Sequence, residues 1–158
     1  MYSIGLYTSE AKLAALRKDS ASGSGSGSAA AAAAAARLAA LSGNGVALLL
    51  TFQMAVDRAK VVDAFVSALG AGDAAYNKAR DGLQELLTAP LQQAGKDKYG
   101  KGDTIEFVFQ GASKLVVVVN GGKKKVLDSP KLRAKLMAVY TGEGAVAPEL
   151  VRQFQALF

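Results

Sequence analysis

Residues 104–127 read TIEFVFQGASKLVVVVNGGKKKVL. Thr104 to Gln110 alternates. Ile105, Phe107 and Phe109 fall on one face, and Glu106, Val108 and Gln110 on the other, the period of two of a half-buried strand. Gly111-Ala112-Ser113 turns the chain, and Lys114 to Asn120 forms a β-branched strand with Leu115 to Val119 as its apolar run. Asn120-Gly121 is a strong hairpin signal, because a tight turn between twisted strands needs positive φ at its centre. Gly122 lengthens the turn, and Lys123 to Leu127 returns as a short strand. The spacing therefore predicts a three-stranded antiparallel meander, with lysines at its edge that discourage pairing with other chains.

Upstream, Tyr2 to Thr8 alternates as a strand, with Tyr2, Ile4, Leu6 and Thr8 on one face. Ser9-Glu10 opens a short helical segment. Asp19 to Ser28 is rich in Gly and Ser and reads as a flexible linker. The alanine run that follows predicts a helix from Ala29 to Leu41, since alanine is the best helix former. Residues 19–41 together read as a low-complexity insert within one domain spanning 1–158. Val46 to Met54 is a second strand, apolar enough on one face to be central. Asp57 is placed to cap a helix carrying Val61, Val62, Phe65, Val66 and Leu69, which Gly70 and Gly72 end. Asp73 caps another through about Leu87, with Tyr76, Ala79, Leu83, Leu86 and Leu87 as its stripe and Pro90 as its boundary. Ser129-Pro130 opens a helix with Leu132, Leu136, Val139 and Tyr140 as its stripe. A last helix begins at Pro148. Strands with an interleaved layer of helices predict an α+β domain, an antiparallel sheet backed by helices.

Composition excludes much. The chain of 158 residues has no histidine and no cysteine. That removes the commonest general base and metal ligand, thiolate chemistry, disulfides and zinc or iron–sulfur ligation by cysteine. Net charge is +6, but apart from Lys123-Lys124-Lys125 the basic residues are scattered. Nucleic-acid binding is not expected, because a binding face concentrates charge and interleaves aromatics. No run reaches the ~20 apolar residues that a membrane helix needs, so no transmembrane segment is expected. The N-terminus lacks the basic-then-apolar order of a secretory signal.

Three segments together resemble one family. Tyr2-Ser3-Ile4-Gly5-Leu6-Tyr7 is similar to an early strand of chalcone-isomerase-fold proteins. Thr104 to Gln110, Asn120-Gly121 and Val126-Leu127-Asp128-Ser129-Pro130 resemble that family's hairpin and following helix start. Val139 to Pro148, VYTGEGAVAP, resembles its C-terminal block. The resemblance implies an open-faced β-sandwich: a long antiparallel sheet covered by a helical layer, with a ligand cleft between them. It also implies strands before Met1.

The family's members close chalcones into flavanones, bind fatty acids in plastids, or assist flavonoid synthesis without catalysis. The isomerase site uses an arginine on an early strand, whose matching position precedes Tyr2. Tyr2 stands where isomerases have a threonine, as in the fatty-acid-binding group, where the tyrosine helps hold the carboxylate. The family's helix tyrosine, asparagine and late threonine fall at Val61, Ala68 and Val139. An apolar side chain cannot donate or order a proton, so the resemblance implies a binding protein rather than an isomerase (intramolecular lyase). A non-catalytic scaffold is the other alternative. The ligand implied is a fatty acid, with Tyr2, Ile4, Phe52, Val61, Phe65, Ala68, Val139 and Tyr140 as the binding residues. No catalytic residue, metal or cofactor is implied, and the compartment implied is the plastid.

Overall fold

The computed structural model describes residues 2–8, 46–111 and 113–141, with side chains for 46–111 and 113–140. The helical segment from Ser9, the Gly/Ser linker, the alanine helix and the helix from Pro148 lie outside the described residues. Five strands form one antiparallel sheet: β1 (Tyr2–Thr8), β2 (Val46–Phe52), β5 (Thr104–Gln110), β6 (Lys114–Val119) and β7 (Lys125–Asp128), in the order β1-β2-β5-β6-β7. A second, two-stranded sheet pairs β3 (Val56–Asp57) with β4 (Lys98–Tyr99). The helices are α1 (Arg58–Leu69), α2 (Ala74–Gln93) and α3 (Pro130–Thr141).

The alternation seen in the sequence sets the sheet. In β2 every second residue from Val46 to Phe52 is buried, and in β5 Ile105, Phe107 and Phe109 are buried. Register stacks these into rows, Val46–Phe109–Leu115, Leu48–Phe107–Val117 and Leu50–Ile105–Val119. β2 is an interior strand, second from the edge and hydrogen-bonded to β1 and β5, while β5 takes the centre. Phe65 of α1 meets Phe107 edge-on, with ring centroids 5.6 Å apart, so α1 packs across the middle row. β6 is buried on both faces, with Val116 only 3% exposed on the face away from the core cluster.

Several element boundaries differ from the sequence reading. β2 ends at Phe52, and Met54 lies in a bend, 55% exposed. The Phe52 amide donates to the Asp103 carbonyl at 2.9 Å, and the Phe52 carbonyl accepts from the Gly102 amide at 2.8 Å, closing the ladder there. Asp57 precedes α1 but makes no side-chain cap bond; its carboxylate faces Lys60 and Lys98 instead. α2 runs through Pro90 to Gln93. Proline removes a helix N–H and crowds the carbonyl one turn back, usually ending a helix. Here Leu87 and Leu91 are both buried on either side of Pro90, and that burial outweighs the local preference. β7 starts at Lys125, opposite Val117, so Lys123 and Lys124 belong to the connection. Three adjacent like charges and Gly122 favour solvent over pairing.

The hairpin and caps behave as their residues dictate. Asn120 and Gly121 both have positive φ, 51° and 65°, and the Gly122 amide donates to the Val119 carbonyl at 3.0 Å. The Asp73 carboxylate accepts from the Tyr76 amide at 2.9 Å, and Ser129 Oγ accepts from the Leu132 amide at 3.2 Å. Lys131 of α3 also bonds the Asp73 carboxylate. That ammonium, followed by the Tyr76 amide, holds the Asp73 carboxyl below its usual pKa. The α1–α2 corner is closed by the Tyr76 hydroxyl donating to the Leu69 carbonyl at 2.7 Å and by Arg80 donating to the Gly70 carbonyl at 2.8 Å.

Tyr99 went unmarked in the sequence because a two-residue strand has no period. It is fully buried, stacked on Phe52 at 4.7 Å, and its hydroxyl donates to the Leu87 carbonyl at 2.6 Å. Burial pushes its pKa above the ordinary tyrosine value of 10.0. The unfolded chain ionises Tyr99 near that value and the folded chain does not, so its contribution to stability is full below about pH 10 and is lost as pH rises further. Tyr99→Phe is expected to cost about 1 kcal/mol at neutral pH through the lost hydrogen bond. It is also expected to flatten the alkaline limb of a stability-against-pH curve, measured by urea unfolding.

Candidate functional site

α1 carries Lys60, Ala64 and Ala68 at intervals of four, so they share one stripe of the helix surface. Beside that stripe Val61 and Phe65 are buried. Two alanines in succession leave the space between α1 and its neighbours unfilled. The result is a cavity of about 230 Å³, open to solvent along the exposed alanines. Its sheet side is made by Leu50 and Phe52 at the end of β2, and by Val56 of β3. α3 contributes Val139 and Tyr140, and α1 supplies Val61, Phe65 and the Lys60 stripe. The lining residues are apolar except for Lys60 and Tyr140.

Lys60 stands at the mouth, with a side chain 77% exposed. Its Nζ lies 3.6 Å from one Asp57 carboxylate oxygen, and Lys98 Nζ lies 3.7 Å from the other. Asp57 is thus shared between two ammonium groups, of which Lys60 borders the cavity. Among the described residues no group of His, Cys, Asp or Glu side chains is arranged to hold a metal ion, and no helix is long and apolar enough to cross a membrane.

Six of the residues expected from the sequence, Phe52, Val61, Phe65, Ala68, Val139 and Tyr140, come together around this cavity. Tyr2 sits opposite Phe52 and Ile4 opposite Leu50 in the β1–β2 register; their side chains lie outside the described residues. Leu50, Val56, Lys60 and Ala64 were missed. Leu50 shares the alternating face of Phe52, and Ala64 precedes Ala68 by one turn, so the pattern held a signal for both. Lys60 is polar on an otherwise apolar stripe, and Val56 belongs to a strand too short to show a period. A second depression, about 390 Å³, lies between the last turns of α2 and β6. It is larger but ringed by Gln93, Lys123 and Lys125, and none of the expected residues reaches it.

A family model described as chalcone isomerase-like matches residues 28–154. The chain belongs to the chalcone isomerase-like family. A search of curated proteins finds no match. Among solved structures, a fatty-acid binding protein of Arabidopsis thaliana is similar with a TM-score of 0.60 at 16% sequence identity, over 99% of this chain and 79% of that one. At that identity the likeness shows the fold: the antiparallel sheet under its helical layer is the chalcone-isomerase-like architecture. Within it, the positions where the family resemblance implies a tyrosine, an asparagine and a threonine are Val61, Ala68 and Val139, and all three face the one cavity.

Proposed function

We propose that this chalcone isomerase-like protein binds a fatty acid, its acyl chain lying in the cavity between α1, α3 and the end of β2. The observation that carries this reading is the convergence of Val61, Ala68 and Val139 on one apolar cavity. Apolar groups there supply no proton donor for an isomerase and suit a methylene chain. The fold shared with a fatty-acid binding protein supports the same reading. The compartment that goes with it is the plastid, which a fluorescent fusion in a photosynthetic cell tests.

Displacement of a fluorescent fatty acid by saturated acids of increasing length tests the binding. Each methylene buried contributes ~0.8 kcal/mol, so affinity is expected to rise about fourfold per methylene until the cavity is full. The volume is below the ~300–1,000 Å³ of ordinary ligand pockets, so the rise is expected to level off at short to medium chains. Affinity independent of chain length would sink the proposal.

A further inference from the structure

We infer that Lys60 makes this cavity select an ionised carboxylate over a neutral lipid. The inference rests on the fatty-acid reading and names the group that recognises the ligand's head. Lys60 is the one charged side chain among the described residues that line the cavity. Its ammonium ends the stripe whose next two members, Ala64 and Ala68, leave the cavity open. A chain lying along the alanines therefore brings its head to Lys60. The residue also sits in the first turn of α1, where the positive end of the helix dipole favours an anion.

Asp57 makes the exchange of partners feasible. Its carboxylate is shared, 3.6 Å from Lys60 and 3.7 Å from Lys98. When Lys60 turns to a ligand carboxylate, Lys98 keeps Asp57 paired, and no ion is left alone. The three groups carry a net charge of one plus, which one ligand carboxylate neutralises. An ester or alcohol gains none of this. Tyr2, the carboxylate partner that the family resemblance implies, is a neutral donor at most and discriminates less between an acid and an alcohol.

The test measures displacement by dodecanoate and by dodecanol at neutral pH, on the full chain and on Lys60→Met and Asp57→Asn. Methionine keeps the apolar stem and removes the charge. Lys60→Met is expected to weaken dodecanoate about three- to fivefold, the scale of one exposed charge pair, and to leave dodecanol unchanged. Asp57→Asn, which frees Lys60, is expected to strengthen dodecanoate only. Added salt is expected to weaken dodecanoate in the parent protein and not in Lys60→Met. If dodecanoate binds the parent protein and Lys60→Met does not change it, or weakens both probes equally, the role of Lys60 is overturned and the fatty-acid reading stands. If the parent protein binds neither probe, both fall.

Discussion

Ala68→Phe is expected to weaken fatty-acid binding about fiftyfold while leaving the protein folded. Ala68 of α1 lines the cavity together with Val139 and Tyr140 of α3, and its short side chain is one reason the cavity exists. A phenyl ring there occupies the space of roughly three methylenes, and at ~0.8 kcal/mol each their exclusion gives that loss. The position is exposed at the cavity rim, so the ring enters open space and is not forced against a filled core. The variant is therefore expected to unfold at or above the parent's midpoint in urea. Displacement titration and urea unfolding on the same preparation separate the two effects. A variant that binds as the parent does would place the ligand elsewhere.

Phe107→Ala is expected to have the opposite profile, a large loss of stability. Phe107 is fully buried in β5, between Leu48 and Val117 in register and beneath Phe65. Deleting a buried aromatic ring costs about 3–5 kcal/mol, because burial and packing are lost and the void does not close. That is a large share of the ~5–15 kcal/mol by which domains are stable. The melting temperature is expected to fall by roughly 10 °C. A fall of only a degree or two would mean that the sheet–helix core is not centred on this row.

Much of the fold was legible because each signal lies within a few residues of itself. The alternation of Ile105, Phe107 and Phe109 survives in the structure unchanged, as do the Asn120-Gly121 turn and the caps at Asp73 and Ser129. The failures share one cause. Pro90, Asp57 and Met54 each carry a local preference that tertiary contacts overrule: Leu91 buried in the core just past the proline, Lys98 pairing with Asp57, which makes no cap bond, and Asp103 and Gly102 closing the ladder of β2 at Phe52. Arg133 shows the same reach of tertiary contacts. Nothing in the sequence pattern marks it for the core, yet it is buried with its guanidinium over the Phe109 ring at 5.5 Å, and burial lowers its pKa.

The residues of the candidate site were half legible for the same reason. That Val61, Phe65 and Val139 are apolar, and on which stripe of their helices they lie, the sequence by itself determined, because helical and strand periods depend only on near neighbours. Whether those residues close a solid core or border a void, the tertiary structure alone decided. A cavity is a distance between α1, α3 and β2, set by how closely the surrounding large side chains let them approach, and Ala64 and Ala68 are too small to fill what remains. The same is true of Lys60: its charge is written in the sequence, but its place at the mouth comes from the packing of α1 against the sheet.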